Sequence, residues 1–176
     1  MKTLLTIGGS TSKTSINKKL AEHVGLYFSE YNVINIDLND FEMPVFSVDL
    51  EASKGFPESA KKLNEIIGNA DGFIISLAEH NGAYSAAFKN VFDWLSRIEA
   101  KVWRSKPMLL MATSPGARGG ASVLEIAKNR FPFHNAQIIG TLAFPSFNDN
   151  FKNGEIVHNS LKKNIDTLVK EFKNSL

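Results

Sequence analysis

The segment Ile7-Gly8-Gly9-Ser10-Thr11-Ser12-Lys13-Thr14-Ser15-Ile16-Asn17 lies between a short apolar run and a helical pattern. Hydroxyls and backbone N–H groups gathered ahead of a helix suit an anion, above all a phosphate. Gly8 and Gly9 permit a sharp turn after a strand. Ser10, Thr11, Ser12, Thr14 and Ser15 supply hydroxyl donors. The amides near Ser15, Ile16 and Asn17 are the unpaired donors of a helix start, and Lys13 adds a positive charge at the rim. A second segment, Leu77-Ala78-Glu79-His80-Asn81-Gly82-Ala83-Tyr84-Ser85, has the same setting. It offers polar side chains and exposed backbone, as a flat heteroaromatic ring requires. No Gly-Lys-Ser/Thr follows at Walker spacing, and the glycine spacing is wrong for a dinucleotide fingerprint. An ordinary capped strand-to-helix turn explains the first loop equally well when it is taken alone. Together the two loops suggest a flavin mononucleotide site.

Such loops have to be carried by strands and helices in alternation. Lys2–Ile7 is a short β-prone run, and Ser15–Phe28 has apolar residues at helical spacing (Ile16, Leu20, Val24). Val33–Ile36 predicts a second strand, and residues 37–56 an irregular connection. Pro57–Gly68 predicts a helix with Pro57 at its first position. Gly72–Leu77 and Pro107–Ala112 are nearly continuous apolar runs, as strands buried on both faces require. Helical patterns fill Ser85–Ile98, Gly119–Phe131 and part of Glu155–Leu176, and Ala136–Ile139 with Thr141–Phe144 offers a last strand. Five strand-like runs alternating with helices predict an α/β fold with a parallel sheet covered on both faces. The expected order is 2-1-3-4-5, and ligands bind beyond the carboxyl ends of such strands at the switch point. No internal repeat or linker divides the chain, so one domain over residues 1–176 is expected.

Composition bounds the function. The chain has 176 residues, 43% of them hydrophobic and 22% charged, which is ordinary for a globular protein. A net charge of +2 from scattered lysines provides no stripe for nucleic acid or an anionic membrane. With no cysteine, disulfides, thiolate catalysis and thiolate metal sites are excluded. Met1-Lys2 leads straight into the first strand-like run, so no signal peptide and a cytoplasmic location are expected. No apolar stretch approaches bilayer length.

The stretch from Gly9-Ser10 through Ser15, with Asn17 and Leu20-Ala21, resembles the opening motif of the NADPH-dependent FMN reductase family. That family has a flavodoxin-like fold and includes quinone, azo-dye and chromate reductases. Its usual arginine falls at Ser12, beside Lys13. The family's Pro-Glu-Tyr-Asn is matched here by Ala78-Glu79-His80-Asn81, and Lys89-Asn90 and Asp93-Trp94 follow at the family spacing. The segment Ser114-Pro115-Gly116, with Gly119 and Gly120 nearby, looks like the family's loop over the ribityl and ring.

The resemblance implies that FMN contacts Ser10, Thr11, Ser12, Lys13, Ser15, Ile16 and Asn17 at its phosphate. It implies that Ala78, Glu79, His80, Asn81 and Gly82 border the ring, largely through backbone atoms, and that Ser114 and Gly116 close over it. Backbone recognition tolerates the Ala78 and His80 replacements. The resemblance further implies NADPH or NADH as co-substrate and a ping-pong cycle. A quinone, azo compound, free flavin or similar small molecule would be the acceptor. A homodimer or homotetramer is implied as well. No side chain has to act as acid or base, so no catalytic residue is named. A flavodoxin-like electron carrier is the competing expectation, and the weakly basic charge balance opposes it. A cofactor-free binding module on the same fold is the other.

Some residues invite other chemistry. His23 and His134 lack metal-ligand spacing and suit surface or half-buried positions, so no metal site is expected. His158 suits an exposed helix start. Ser114 has neither a base partner nor a Gly-x-Ser-x-Gly elbow, which argues against a hydrolase. Glu79 is better explained as a ring-loop or helix-start carboxylate than as a general base. Trp94 suits core or subunit interface. Trp103 suits an interface edge or the rim of the site, and Met43-Pro44-Val45-Phe46 either a packed loop or a neighbouring subunit's site.

Overall fold

Strands covered on both faces are apolar at nearly every position, and alternate residues feed two separate cores. The computed structural model describes residues 1–176. Its main elements, in chain order, are β1 (Thr3–Gly9), α1 (Ile16–Gly25), β2 (Asn32–Ile36), α2 (Val48–Lys54), α3 (Glu58–Gly68), β3 (Gly72–His80), α4 (Ala86–Ile98), β4 (Pro107–Thr113), α5 (Ala121–Arg130), β5 (Gln137–Phe144) and α6 (Asn159–Ser175). Every residue of β4 is buried, as is β3 from Gly72 to Ala78.

The pairings β1–β2, β1–β3, β3–β4 and β4–β5 are all parallel. The sheet order is therefore β2-β1-β3-β4-β5, as the alternating pattern predicts, with the switch point between β1 and β3. Leu5, Ile7, Phe73, Ile75, Met108 and Leu110 point into one core with α3, α4 and α5. Leu4, Ile74, Leu109 and Met111 point into the other with α1 and α6.

The structure departs from expectation at several element ends. The 37–56 connection contains α2, whose first turn is capped by the Ser47 hydroxyl accepting from Leu50 N–H at 3.1 Å. No residue of α2 is buried, so it has no apolar stripe to betray it. Pro57 is the N-cap of α3, not its first helical residue. The helix expected from Gly119 starts at Ala121, because Gly119 and Gly120 adopt φ of 57° and 77°. The last strand starts at Gln137 and includes Gly140, with a register irregularity opposite Met108 and Leu109. The last helix starts at Asn159, after a hairpin that pairs Phe151–Lys152 with Glu155–Ile156.

Segment 43–46 packs on its own chain. Trp94 Nε1 donates to Pro44 O at 2.8 Å, and Asn90 Oδ1 accepts from Phe46 N–H at 2.8 Å. The Phe46 ring meets Trp94 edge-on at 5.0 Å. One turn of α4 thus clamps the loop, and Trp94 is a core residue. Trp103 is also core, not rim: it is 1% exposed and packs on Phe73, Phe92 and Phe131.

Both doubtful histidines are more buried than expected. His134 Nδ1 pairs with Ala100 O at 2.7 Å, which satisfies it. His23 is 8% exposed, and neither ring nitrogen has a hydrogen-bond partner. It packs edge-on against Tyr27 and Phe151. Burial holds its pKa below the ordinary 6.5, opposed by Glu155 and the Gly154 backbone and aided by Lys162. The fold therefore prefers neutral His23, and unfolding takes up a proton below pH 6.5. This contribution to stability is present above pH 6.5 and is lost as pH falls towards the lowered folded value. His23→Phe keeps the aromatic contacts and is expected to lose less stability than the parent chain on acidification. Denaturant melts across that pH range check it, and parallel losses in both chains would refute it.

Candidate functional site

Strands β1, β3 and β4 deliver three loops to one edge of the sheet. In the first, Ser15 is buried and N-caps α1, its hydroxyl accepting from Lys18 N–H at 3.1 Å. Ser10 Oγ accepts from Ser12 N–H at 3.1 Å, and Ser15 N–H donates to Ser12 O at 3.0 Å. Thr11, Ser12, Lys13 and Thr14 stay exposed. The Ile16 and Asn17 N–H groups, in the first turn of α1, make no backbone hydrogen bond. Gly8 lets α1 come close, since a Cβ there would lie 2.6 Å from Lys18 Cα. Lys18 pairs with Asp37, a bond that raises the lysine pKa and lowers the aspartate's. The α1 start is thereby tied to the end of β2.

The second loop is a hairpin. β3 runs to His80, three residues beyond the expected strand end, and Ala83–Tyr84 turns back antiparallel with Glu79 opposite Tyr84 and His80 opposite Ala83. Asn81 and Gly82 have φ of 52° and 76°, as a two-residue turn between twisted strands requires. Asn-Gly is a hairpin signal, so this feature was available in the sequence. His80, Asn81 and Gly82 are exposed, whereas Ala78 is buried and forms the floor. The carboxylate of Glu79 turns away from the hairpin tip. Its Oε2 accepts from Ser122 and Val123 N–H at 2.9 and 3.0 Å, at the start of α5.

The third loop, residues 114–120, is held from behind by the chain after β5. Ser146 N–H donates to Gly116 O at 3.0 Å and Phe147 N–H to Ser114 O at 3.1 Å. Ser114 is half-buried, and Gly116 is exposed with only Ser114 Oγ near its absent Cβ, at 3.8 Å.

The Asn17 side chain is committed within the protein. It is 3% exposed. Its Oδ1 accepts from Ser76 Oγ at 2.7 Å and from Thr113 N–H at 3.0 Å, while Nδ2 donates to Thr113 O at 3.1 Å. Only its main chain is left for an anion. Ser85 makes a similar tie: its hydroxyl donates to Gly9 O at 2.7 Å and accepts from Phe88 N–H at 3.1 Å. Sequence reasoning did not single out Ser76 and Thr113, and it named Ser85 and Gly119 as parts of the loops without the ties that hold the loops together. Only Ser85, an N-cap before an apolar helix, left a local signal.

Tested against FMN, the donor set fits. The first loop combines free hydroxyls with the unpaired amides of a helix start, the chemistry of a phosphate subsite. The hairpin tip presents exposed polar backbone, and Gly116 has open space around its missing Cβ. An open groove of about 630 Å³ runs between α1 and residues 147–154. It shares only Ile16 with these loops and is not this site. No three His, Asp or Glu side chains gather to hold a metal, and no helix is long and apolar enough to cross a membrane.

A family model described as NADPH-dependent FMN reductase matches residues 2–149. A quinone reductase of Escherichia coli (strain K12) is 30% identical over 136 residues, covering 77% of this chain and 68% of that protein. An NADPH azoreductase of Bacillus sp. (strain OY1-2) is 30% identical over 121 residues, covering 69% of this chain and 64% of that protein. Among solved structures, FerB from Paracoccus denitrificans, a flavoenzyme NAD(P)H:(acceptor) oxidoreductase, superposes with a TM-score of 0.80 at 24% identity. It covers 99% of both chains, which establishes the flavodoxin-like fold.

Proposed function

Because the chain belongs to the NADPH-dependent FMN reductase family, an oxidoreductase family that works with FMN, we propose that it uses NAD(P)H to reduce a quinone or azo compound. The observation that carries this reading is the convergence on one sheet edge of an α1 start with unpaired Ile16 and Asn17 amides and an exposed hairpin tip at residues 80–82. FMN, when bound, would supply hydride and electron transfer between NAD(P)H and the acceptor, which would react in turn in a ping-pong cycle.

The protein binds and orients. Ser10, Thr11, Ser12, Lys13, Ser15 and the Ile16 and Asn17 amides hold the phosphate. The backbone of Ala78–Gly82 would border the ring, and Ser114 and Gly116 would close over it. Lys13, next to Ser12 in sequence, is the cation that takes the place of the family's arginine. The chain acts as a single domain in the cytoplasm, as a homodimer or homotetramer. Val45, on the loop clamped to α4, and Val48, at the start of α2, are 82% and 66% exposed and are apolar surface suited to a second copy.

The test is anaerobic mixing of FMN-loaded protein with NADPH and, separately, NADH, followed by flavin absorbance. Bleaching that a benzoquinone reverses is the expected result. Flavin that binds but stays oxidised would instead indicate an electron carrier. A chain that binds no FMN would have the fold without the activity.

A further inference from the structure

Helix α5 cannot cap itself. Its N-cap is Gly120, which has no side chain to accept from the first-turn amides. A capping residue cannot replace it cheaply, because φ is 77° and a Cβ would lie 2.9 Å from Ala112 Cβ. The first amides of a helix need acceptors from elsewhere when the helix start is half-buried. Here the acceptor comes from 43 and 44 residues away: one oxygen of Glu79 takes both Ser122 and Val123 N–H. A carboxylate is the favoured partner at the positive end of a helix dipole.

The same hairpin is also held at the other end of α5. Tyr84, opposite Glu79 on the return strand, stacks on Phe131 with an interplanar angle of 3° and centroids 6.2 Å apart. Phe131 is the residue that ends α5. The hairpin therefore lies along α5 with one strand bonded to the start of the helix and the other packed at its end. His80, Asn81 and Gly82, the exposed tip, sit beside these two anchors with no other tie. The helix start opens directly from the 114–120 loop, on the other side of the proposed ring subsite.

We infer that Glu79 is a positioning residue: its side chain joins the hairpin to the 114–120 loop through the start of α5 and sets the backbone geometry of both walls of the FMN subsite. The inference rests on the FMN reading above. It also accounts for an asymmetry between the two helix starts at this edge. The α1 amides are left free for a phosphate, whereas those of α5 are already filled by a carboxylate, so the phosphate of the ligand goes to α1.

The experiment compares Glu79→Ala and Glu79→Gln with the parent chain in two measurements. The first is amide hydrogen exchange in FMN-free protein. Glu79→Ala is expected to speed exchange at Ser122 and Val123, while Glu79→Gln, which keeps an acceptor oxygen at the same reach, preserves most of the protection. The second is titration with FMN. Glu79→Ala is expected to weaken binding by about tenfold or more, with recovery of most of that loss in Glu79→Gln. Unchanged exchange at those two amides overturns the inference, and so does undiminished FMN affinity in Glu79→Ala. Equal damage by Ala and Gln overturns it as well, since it would point to charge and not to the bond. Failure of the parent chain to bind FMN overturns the function instead, while the exchange measurement still decides whether the tie exists.

Discussion

Gly119→Ala is expected to cost about 2–6 kcal/mol, the sum of a left-handed backbone penalty and an overpacking penalty. Gly119 has φ of 57°, which L side chains rarely adopt. Its added Cβ would lie 2.6 Å from Phe144 C and 2.7 Å from both Phe144 O and Pro145 N. Those are backbone atoms at the end of β5, and they cannot swing aside as a side-chain tip can. Relief would require moving the 114–120 loop away from the chain segment that holds it, and FMN affinity should fall with stability. Gly116→Ala is the control. With open space and an ordinary φ, it should stay within about 0.5 kcal/mol of the parent. Denaturant unfolding of both variants checks the pair, and similar midpoints would refute the assignment.

Replacing Asn17 by Leu should be almost as damaging. The buried amide ties α1 to β3 through Ser76 and to β4 through both main-chain groups of Thr113. Thr113 Oγ1 continues the chain to Phe144 O at 2.7 Å. Leucine fills the space but leaves Ser76 O–H and both the N–H and the C=O of Thr113 without Asn17, with each unsatisfied group costing about 1–3 kcal/mol. The expected loss is about 3 kcal/mol or more in total. It should be accompanied by weaker FMN binding, because the α1 start, with the proposed phosphate donors, is no longer registered on β3 and β4. Asn17→Asp separates the two effects. It keeps the Oδ1 acceptor but replaces the donating Nδ2 with an oxygen facing Thr113 O. It should therefore be destabilised most when the carboxyl is ionised. Urea melts at neutral and acidic pH read the difference, and pH-independent melts would refute it.

The local pattern of residues was enough for the alternating elements, the two-faced burial of the central strands and the order of the sheet. The reason is periodicity: a strand covered on both faces must be apolar throughout, and helices between such strands must show a 3.6-residue stripe. The same local chemistry made Ser10 to Asn17 a candidate anion cradle, because hydroxyls and free amides at a helix start are contiguous in sequence, and it explained an ordinary capped turn equally well. Helix α2 escaped because it buries nothing and so carries no stripe. The hairpin at Asn81-Gly82 had its turn signal, obscured by the apolar run that precedes it.

What only the tertiary structure decided is which way side chains on those loops turn. Asn17 and Glu79 both sit in sequence where a ligand contact is expected, yet one closes a buried bond network and the other caps a helix 43 residues downstream. Trp94 and Trp103 are equally polar-tipped aromatics in sequence, and both are core residues here. Gly119 is one glycine among several until Phe144 and Pro145 are placed beside it. Each of these outcomes depends on partners dozens of residues away. Satisfying a buried donor or excluding a Cβ is a property of the packed neighbourhood, which a local reading of residue types does not contain.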